Sequence, residues 1–265
     1  MKTLKYYIVD AFAEDLFKGN QAGVCLLDDD KWLPDELLQT IAAENNLAET
    51  AYLIKRDDYY DLRWFTPDME VDLCGHATLA SAYVILNCVE PEMSIVHFET
   101  MSGRLSVSKD GELLTLDFPA RTPEPTQIHP LMEKAVGCKI LEAHINRDTF
   151  VLVDSAEKVK NLQMDMDTLN AIPDLYGFVI MAKGDDCDFV SRYFTPNSSN
   201  APEDPVCGSS HCVMTPFWAK RLGKDELLAR TFSQRGGTLY CQSCGDRVKI
   251  TGKAQLYLKG EIFTA

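Results

Sequence analysis

Long apolar runs are missing from this sequence. None approaches the roughly 20 residues that a membrane-crossing helix requires. The opening stretch has no apolar h-region, so no export signal is expected. Positive charge is scarce: 26 Lys and Arg stand against 40 Asp and Glu, for a net charge of −14. That balance excludes the basic patches that nucleic acid and anionic membrane surfaces need, so neither is expected as a partner. Neither G-x-G-x-x-G nor a P-loop is present, which removes support for dinucleotide or ATP chemistry. G-x-S-x-G is also absent, and Ser209 and His211, two apart on an expected helix, do not form a hydrolase pair. The lone C-x-x-C, Cys241-Gln242-Ser243-Cys244, lacks a second pair of ligands. A hairpin turn is expected there, and no metal site.

What is present reads as a soluble globular protein. The 265 residues are 46% hydrophobic and 25% charged, enough for one large domain or two ordinary ones. Nine cysteines, an odd number without an export signal, point to reduced thiols in a cytoplasm.

The chain repeats itself. Arg63-Trp64-Phe65-Thr66-Pro67 recurs as Arg192-Tyr193-Phe194-Thr195-Pro196, 129 positions on (65 to 194). Each copy precedes a Cys-Gly step, Cys74-Gly75 and Cys207-Gly208, 133 apart. Leu26-Leu27-Asp28 matches Leu152-Val153-Asp154 at 126, and Tyr52-Leu53-Ile54 matches Val179-Ile180-Met181 at 127. Gly103-Arg104-Leu105 matches Gly237-Thr238-Leu239 at 134. Five matches in one order, with slowly drifting offsets, indicate an internal duplication. The halves are expected over 1–120 and 130–265, with the Pro-rich 118–130 as linker and the last strand able to pack back on the first half.

Within the first half, 32–47 has the spacing of a helix, with Pro34 in its first turn and Leu37, Leu38 and Ile41 on one face. Residues 62–65 read as a strand ended by Thr-Pro, and 75–88 as a mostly apolar, buried helix. The matching second-half helix is 208–222, kinked at Pro216. One helix per half among several strands is an α+β arrangement of two similar domains, with a cleft expected between them.

A helix N-terminus presents free N–H groups and a positive dipole end, and glycine lets an anion approach closely. Gly75 and Gly208 are therefore candidate substrate-binding positions, for a carboxylate or for the enolate formed beside one. His76 sits in the first turn as a candidate proton-transfer group. Asp204, Ser209 and His211 are the polar residues beside the second step, Asp204 placed to cap the helix or orient a base. Glu49 lies just after the first helix. At offset 127 its counterpart is Tyr176, so the scaffold is duplicated and the carboxylate is not.

These residues resemble a known family. Val9-Asp10-Ala11-Phe12, Gly19-Asn20, Asn46-Leu47-Ala48-Glu49-Thr50, Arg63-Trp64-Phe65-Thr66-Pro67, Cys74-Gly75-His76-Ala77-Thr78-Leu79-Ala80 and Glu203-Asp204-Pro205-Val206-Cys207-Gly208-Ser209 are similar to the PhzF-type phenazine-biosynthesis isomerases. Diaminopimelate epimerase and proline racemase are the broader relatives. The resemblance implies a diaminopimelate epimerase-like fold: two domains, each a curled, mostly antiparallel sheet around a central helix. It implies a cofactor-free site, a small anionic metabolite as substrate and a homodimer. Glu49 becomes the acid/base that moves a proton between carbons, with His76, Asp204 and Ser209 in support and Asn20 beside the substrate. Gln21 stands where the family has a proline. Cys74 and Cys207 stand where the epimerases and racemases carry catalytic thiols, and the phenazine isomerases themselves lack that pair. A thiol at a helix N-terminus can abstract a proton. A Glu49 isomerase, a two-thiol racemase or epimerase and a non-catalytic carboxylate-binding protein all stay open on the sequence.

Overall fold

The computed structural model describes residues 2–198 and 202–264. Two units divide it, Met1–Phe118 with Ile250–Ala265, and Pro119–Lys249. In the first, β1 (Lys2–Ala11) runs antiparallel to β2 (Asn20–Leu27), and β2 pairs in parallel with β3 (Glu49–Lys55). A parallel pair needs a crossover, which helix α1 (Asp35–Asn45) supplies. β4 (Tyr60–Phe65) returns antiparallel to β3, and the short β5 (Glu70–Val71) hooks back on β4. Helix α2 (Gly75–Val84) follows, its end widening into a π turn at Ile85–Val89. β6 (Ile95–Thr100), β7 (Gly103–Asp110) and β8 (Leu113–Pro119) form an antiparallel meander, with β6 also parallel to β4.

The second unit repeats this order. β9 (Glu124–Pro125), then helix α3 (Pro130–Val136), lead to β10 (Glu142–Ile145), which pairs with β9 and β11 (Thr149–Leu152). β11 is parallel to β12 (Phe178–Lys183), reached through the short helices α4 (Ala156–Lys160) and α5 (Met166–Asn170). β13 (Phe189–Phe194) and the hooked β14 (Glu203–Asp204) correspond to β4 and β5. Helix α6 (His211–Leu222) precedes β15 (Glu226–Thr231), parallel to β13, and β16 (Gly237–Cys244). β17 (Arg247–Gly252) leads to β18 (Ala254–Thr264), which pairs along the full length of β1. The fold class is α+β, as the sequence implied.

Side-chain alternation explains the packing. Leu4, Tyr6, Cys25, Leu27, Tyr52 and Ile54 share a core with Leu38, Ile41 and Ala42 of α1. Residues of opposite parity, such as Val24, Ala51 and Leu53, are buried too, and α2 packs on β1, β2 and β3. The sheet is thus covered on both faces, which is why its strands read as continuous apolar runs. α2 is buried on nearly every side, and its small residues Gly75, Ala77, Ala80, Ser81 and Ala82 allow that. In the second unit, α3, α4 and α5 contribute Ala135, Val159 and Leu169 to one core with Val151, Ile180 and Phe194.

Both units carry the same clamp. Arg63 makes a two-bond fork with Glu70 (2.6 and 2.7 Å), and Arg192 does so with Glu203 (2.7 and 2.9 Å). Each guanidinium also lies over the phenylalanine two residues on, Phe65 or Phe194. The fork fixes the hooked strand that leads to each Cys-Gly step.

Several details differ from the sequence reading. Pro34 has extended backbone and precedes α1, its carbonyl accepting from Leu37 and Leu38, rather than lying in the first turn. The second helix starts at His211, not Gly208, because residues 208–210 form a tighter turn closed by His211 N–H on the Gly208 carbonyl. Pro216 deprives the Cys212 carbonyl of its helical partner, and the Arg121 N–H takes it at 2.9 Å. Residues 119–130, read as linker, are thereby bound into the second unit, partly as β9. Cys241 and Cys244 lie in β16 rather than in a turn. Three apart on a strand, they point to opposite faces and cannot share an ion.

Candidate active site

Strand register decides which residues correspond between the units. Tyr52 faces Arg63 across β3 and β4, while Ile180 faces Arg192 across β12 and β13. The true offset here is therefore 128, not 127, and the position matching Glu49 is Gly177 rather than Tyr176. A Cβ on Gly177 would fall 2.2 Å from Tyr193 Oη and 2.6 Å from Asp148 Oδ1. The second unit thus fills with a phenol and an aspartate the place where the first begins β3 with Glu49.

In the first unit, four polar residues converge from three elements. Asn20 begins β2, Glu49 begins β3, Cys74 is the N-cap of α2, and His76 lies in its first turn. The neighbouring pairing of Ala22 with Glu49 brings the two strand starts together. His76 is only 3% exposed. Its Nε2 lies 3.0 Å from Glu49 Oε2. The carboxylate sits off the ring N–H axis, so this is an ion-pair contact rather than an aligned hydrogen bond. On the other edge, Asn20 Nδ2 is 3.1 Å and Cys74 Sγ 3.5 Å from Nδ1.

The second unit builds its group on the same plan with other side chains. At the 133 offset Ser209 takes the place of His76, and its Oγ lies 3.5 Å from Cys207 Sγ. Asp204, on β14, accepts the Val206 N–H at 2.9 Å, so it braces the loop before Cys207 rather than the helix. Gly75 and Gly208 are both buried beside their cysteines. His211 is fully buried and its Nδ1 is 2.9 Å from the Cys207 carbonyl, a structural hydrogen bond.

Both thiols are held protonated. Burial pushes Cys74 up, and the Glu49 charge adds to it, outweighing His76 and the Ala77 N–H. Burial also pushes Cys207 well up, reinforced by Asp204 and Asp148 and only partly offset by Ser209 and the Ser210 N–H. Burial works against a charged His76, but its contacts with Cys74 and Glu49 prevail and raise it well above its ordinary value. Asn20, with its amide turned over, suits that protonated ring as an acceptor.

Asp148 and Tyr193 escaped the sequence reading. Tyr193 Oη donates to Asp148 Oδ1 at 3.2 Å, and Arg147 Nε lies 3.3 Å from the same oxygen. A signal existed: at the 126 offset of the β2 and β11 strands, Asn146 matches Asn20, which marks Asp148 two residues on.

With this geometry in view, comparison with known proteins decides the family. The sequence matches the phenazine biosynthesis-like (PhzC-PhzF) protein family over residues 9–260. The chain belongs to that family. An uncharacterized isomerase of Pseudomonas aeruginosa is 46% identical over 98% of each chain. The crystal structure of a PhzF family protein from Enterococcus faecalis superposes with a TM-score of 0.95 at 47% identity, covering 99% of this chain and 100% of that one. A hydroxyproline epimerase from Agrobacterium vitis shares the fold at 12% identity, with a TM-score of 0.62 over 98% and 92% of the chains. This PhzF family member is accordingly an isomerase with an epimerase-like fold. Among the described residues, no helix is long and apolar enough to cross a membrane.

Proposed function

We propose that this PhzF family member is a cofactor-independent isomerase that moves a proton between carbons of a small carboxylate-bearing substrate, with Glu49 as general acid and base. The observation that carries this reading is the Glu49–His76 contact, 3.0 Å, with Asn20 and Cys74 on the far edge of the ring. Glu49 takes a proton from the carbon beside an acid or carbonyl group and returns it to another carbon of the same molecule. Charge that builds on the enolate oxygen is met by the free N–H groups of Gly75 and His76 at the start of α2. His76, raised by its contacts with Cys74 and Glu49, keeps positive charge beside the reacting group. Asp204, Ser209 and Gly208 are assigned supporting roles in substrate binding. A small carboxylate as partner and a homodimeric assembly belong to the same proposal, and light scattering measures the second.

Support against the two-thiol reading comes from the thiols themselves. That mechanism needs one thiolate poised against one thiol, and burial with acidic neighbours holds both Cys74 and Cys207 protonated. Deuterium exchange from D2O into candidate amino and hydroxy acids tests the proposal. Glu49→Gln is expected to lose exchange on the order of a hundredfold or more. The double variant Cys74→Ser, Cys207→Ser is expected to retain exchange. Full exchange in Glu49→Gln refutes the reading, and its loss only in the double serine variant installs the thiol mechanism instead.

A further inference from the structure

We infer that two copies of this chain join along the outer edge of β18, each strand pairing antiparallel with the other about a two-fold axis at Gly260. This gives a surface to the homodimer proposed above. It rests on that assembly and not on the role of Glu49.

β18 is paired with β1 along one side. Among the described residues no strand takes its other edge. From Tyr257 to Glu261 the residues are exposed one after another, whichever face they point to, as expected of a strand with one side open. The side chains are not those of a guarded edge. Tyr257 and Phe263 are 50% and 64% exposed, and the equally exposed Phe17 packs edge-on against Tyr257. An apolar edge of eleven residues is a template for another strand.

The residue order along this edge selects a second copy as that strand. Residues directly opposite in an antiparallel pair share a face, so a two-fold axis between identical strands must pass through a residue. An axis at Gly260 sets Lys259 opposite Glu261 of the second copy and Leu258 opposite Ile262, and symmetry makes each pair twice. An axis at Lys259 or at Glu261 sets like charges opposite each other. One step further, Lys259 meets Tyr257 or Glu261 meets Phe263. Residues 258–262 all lie on the regular side of the bulge at Tyr257, where β1 passes from Ile8 to Val9, so the ladder they offer is unbroken. Backbone hydrogen bonds and the apolar pairs supply the affinity, and the charges fix the register. The strand of a different protein would gain nothing from this internal symmetry.

The test uses the whole chain. Light scattering should give twice the 29.7 kDa of one chain. Lys259→Glu and Glu261→Lys each place two like-charge pairs across the axis, and each should weaken self-association on the order of tenfold. Mixing the two variants pairs opposite charges again and should restore the dimer as a heterodimer. Gly260→Cys is sterically allowed, because a Cβ there meets only Leu258 Cδ2 at 3.7 Å. Opposite residues stand about 4.5–5.5 Å apart between Cα atoms, within reach of a disulfide. Mild oxidation should therefore link Gly260→Cys, but not the wild-type chain, into a covalent dimer. Circular dichroism checks that each variant is folded. A wild-type monomer overturns the inference and the proposed assembly together. A dimer that ignores both charge variants and leaves Gly260→Cys unlinked overturns the β18 edge and keeps the assembly. Deuterium exchange reads the Glu49 chemistry separately in either case.

Discussion

His211 offers a quantitative test of how burial acts on a titratable group. The ring is fully buried, its Nδ1 donates to the Cys207 carbonyl, and Nε2 has no partner among the described residues. Phe189 lies 5.8 Å away, centroid to centroid. Protonation would place a new N–H on Nε2 with nothing to receive it. Burial is the leading cause that lowers the pKa from 6.5 to about 4, only partly offset by the bond to Cys207. The unfolded chain therefore binds this proton near 6.5 and the folded chain near 4. Between these values the unfolded state holds more protons, so stability falls as pH falls. The contribution is complete above 6.5 and is lost on the way down to about 4. It amounts to about 3 kcal/mol at about 1.4 kcal/mol per pH unit. His211→Asn keeps an N–H for the Cys207 carbonyl and does not titrate. Its loss of packing lowers stability equally at every pH. Urea melts of both proteins across this window should therefore give curves that converge by about 3 kcal/mol as pH falls. Parallel curves would refute the burial argument.

Two other predictions concern the second unit. Gly177→Ala drives a methyl against Tyr193 Oη and Asp148 Oδ1 and should cost roughly 1–3 kcal/mol, read as a lowered Tm. An unchanged Tm would show that the Tyr193–Asp148 pair yields freely. Asp148→Asn removes one negative neighbour that pushes the Cys207 thiol up, so the midpoint pH for alkylation of Cys207 should move down. A midpoint that stays put or rises would remove Asp148 from the electrostatics of that cysteine.

Much of this molecule was legible before any coordinates. The duplicated Arg-to-Pro motifs marked the strands whose arginines form the two forks, because a half-buried arginine is held by an acidic partner in each copy. α1 was visible from its apolar spacing, and its true start was not, because a proline suits either side of a helix beginning. Register was misread by one residue between Glu49 and its counterpart. Short apolar strings align equally well at either offset, and only cross-strand pairing to Arg63 and Arg192 decides between them. The start of α6 was missed for a different reason: local sequence around Gly208 permits both an α turn and the tighter turn observed. Glu49, Cys74, His76 and Asn20 were each visible as candidates. That one imidazole joins the other three depends on strand starts and a helix end meeting, which no local pattern contains.

The pairing of β18 with β1 has a consequence for the order in which the protein is made. The second unit is one uninterrupted stretch, so it emerges from the ribosome before β18 does. The first unit begins earlier but waits longest, since one edge of β1 stays open until β18 has been translated. Through that interval β1 has β2 on one side and an open edge on the other, the arrangement most exposed to wrong pairing. Lys2 and Lys5 lie on that strand, and charges of this kind discourage another chain from adding to it. The half that carries Glu49 and His76 thus becomes complete only after the second unit has been made.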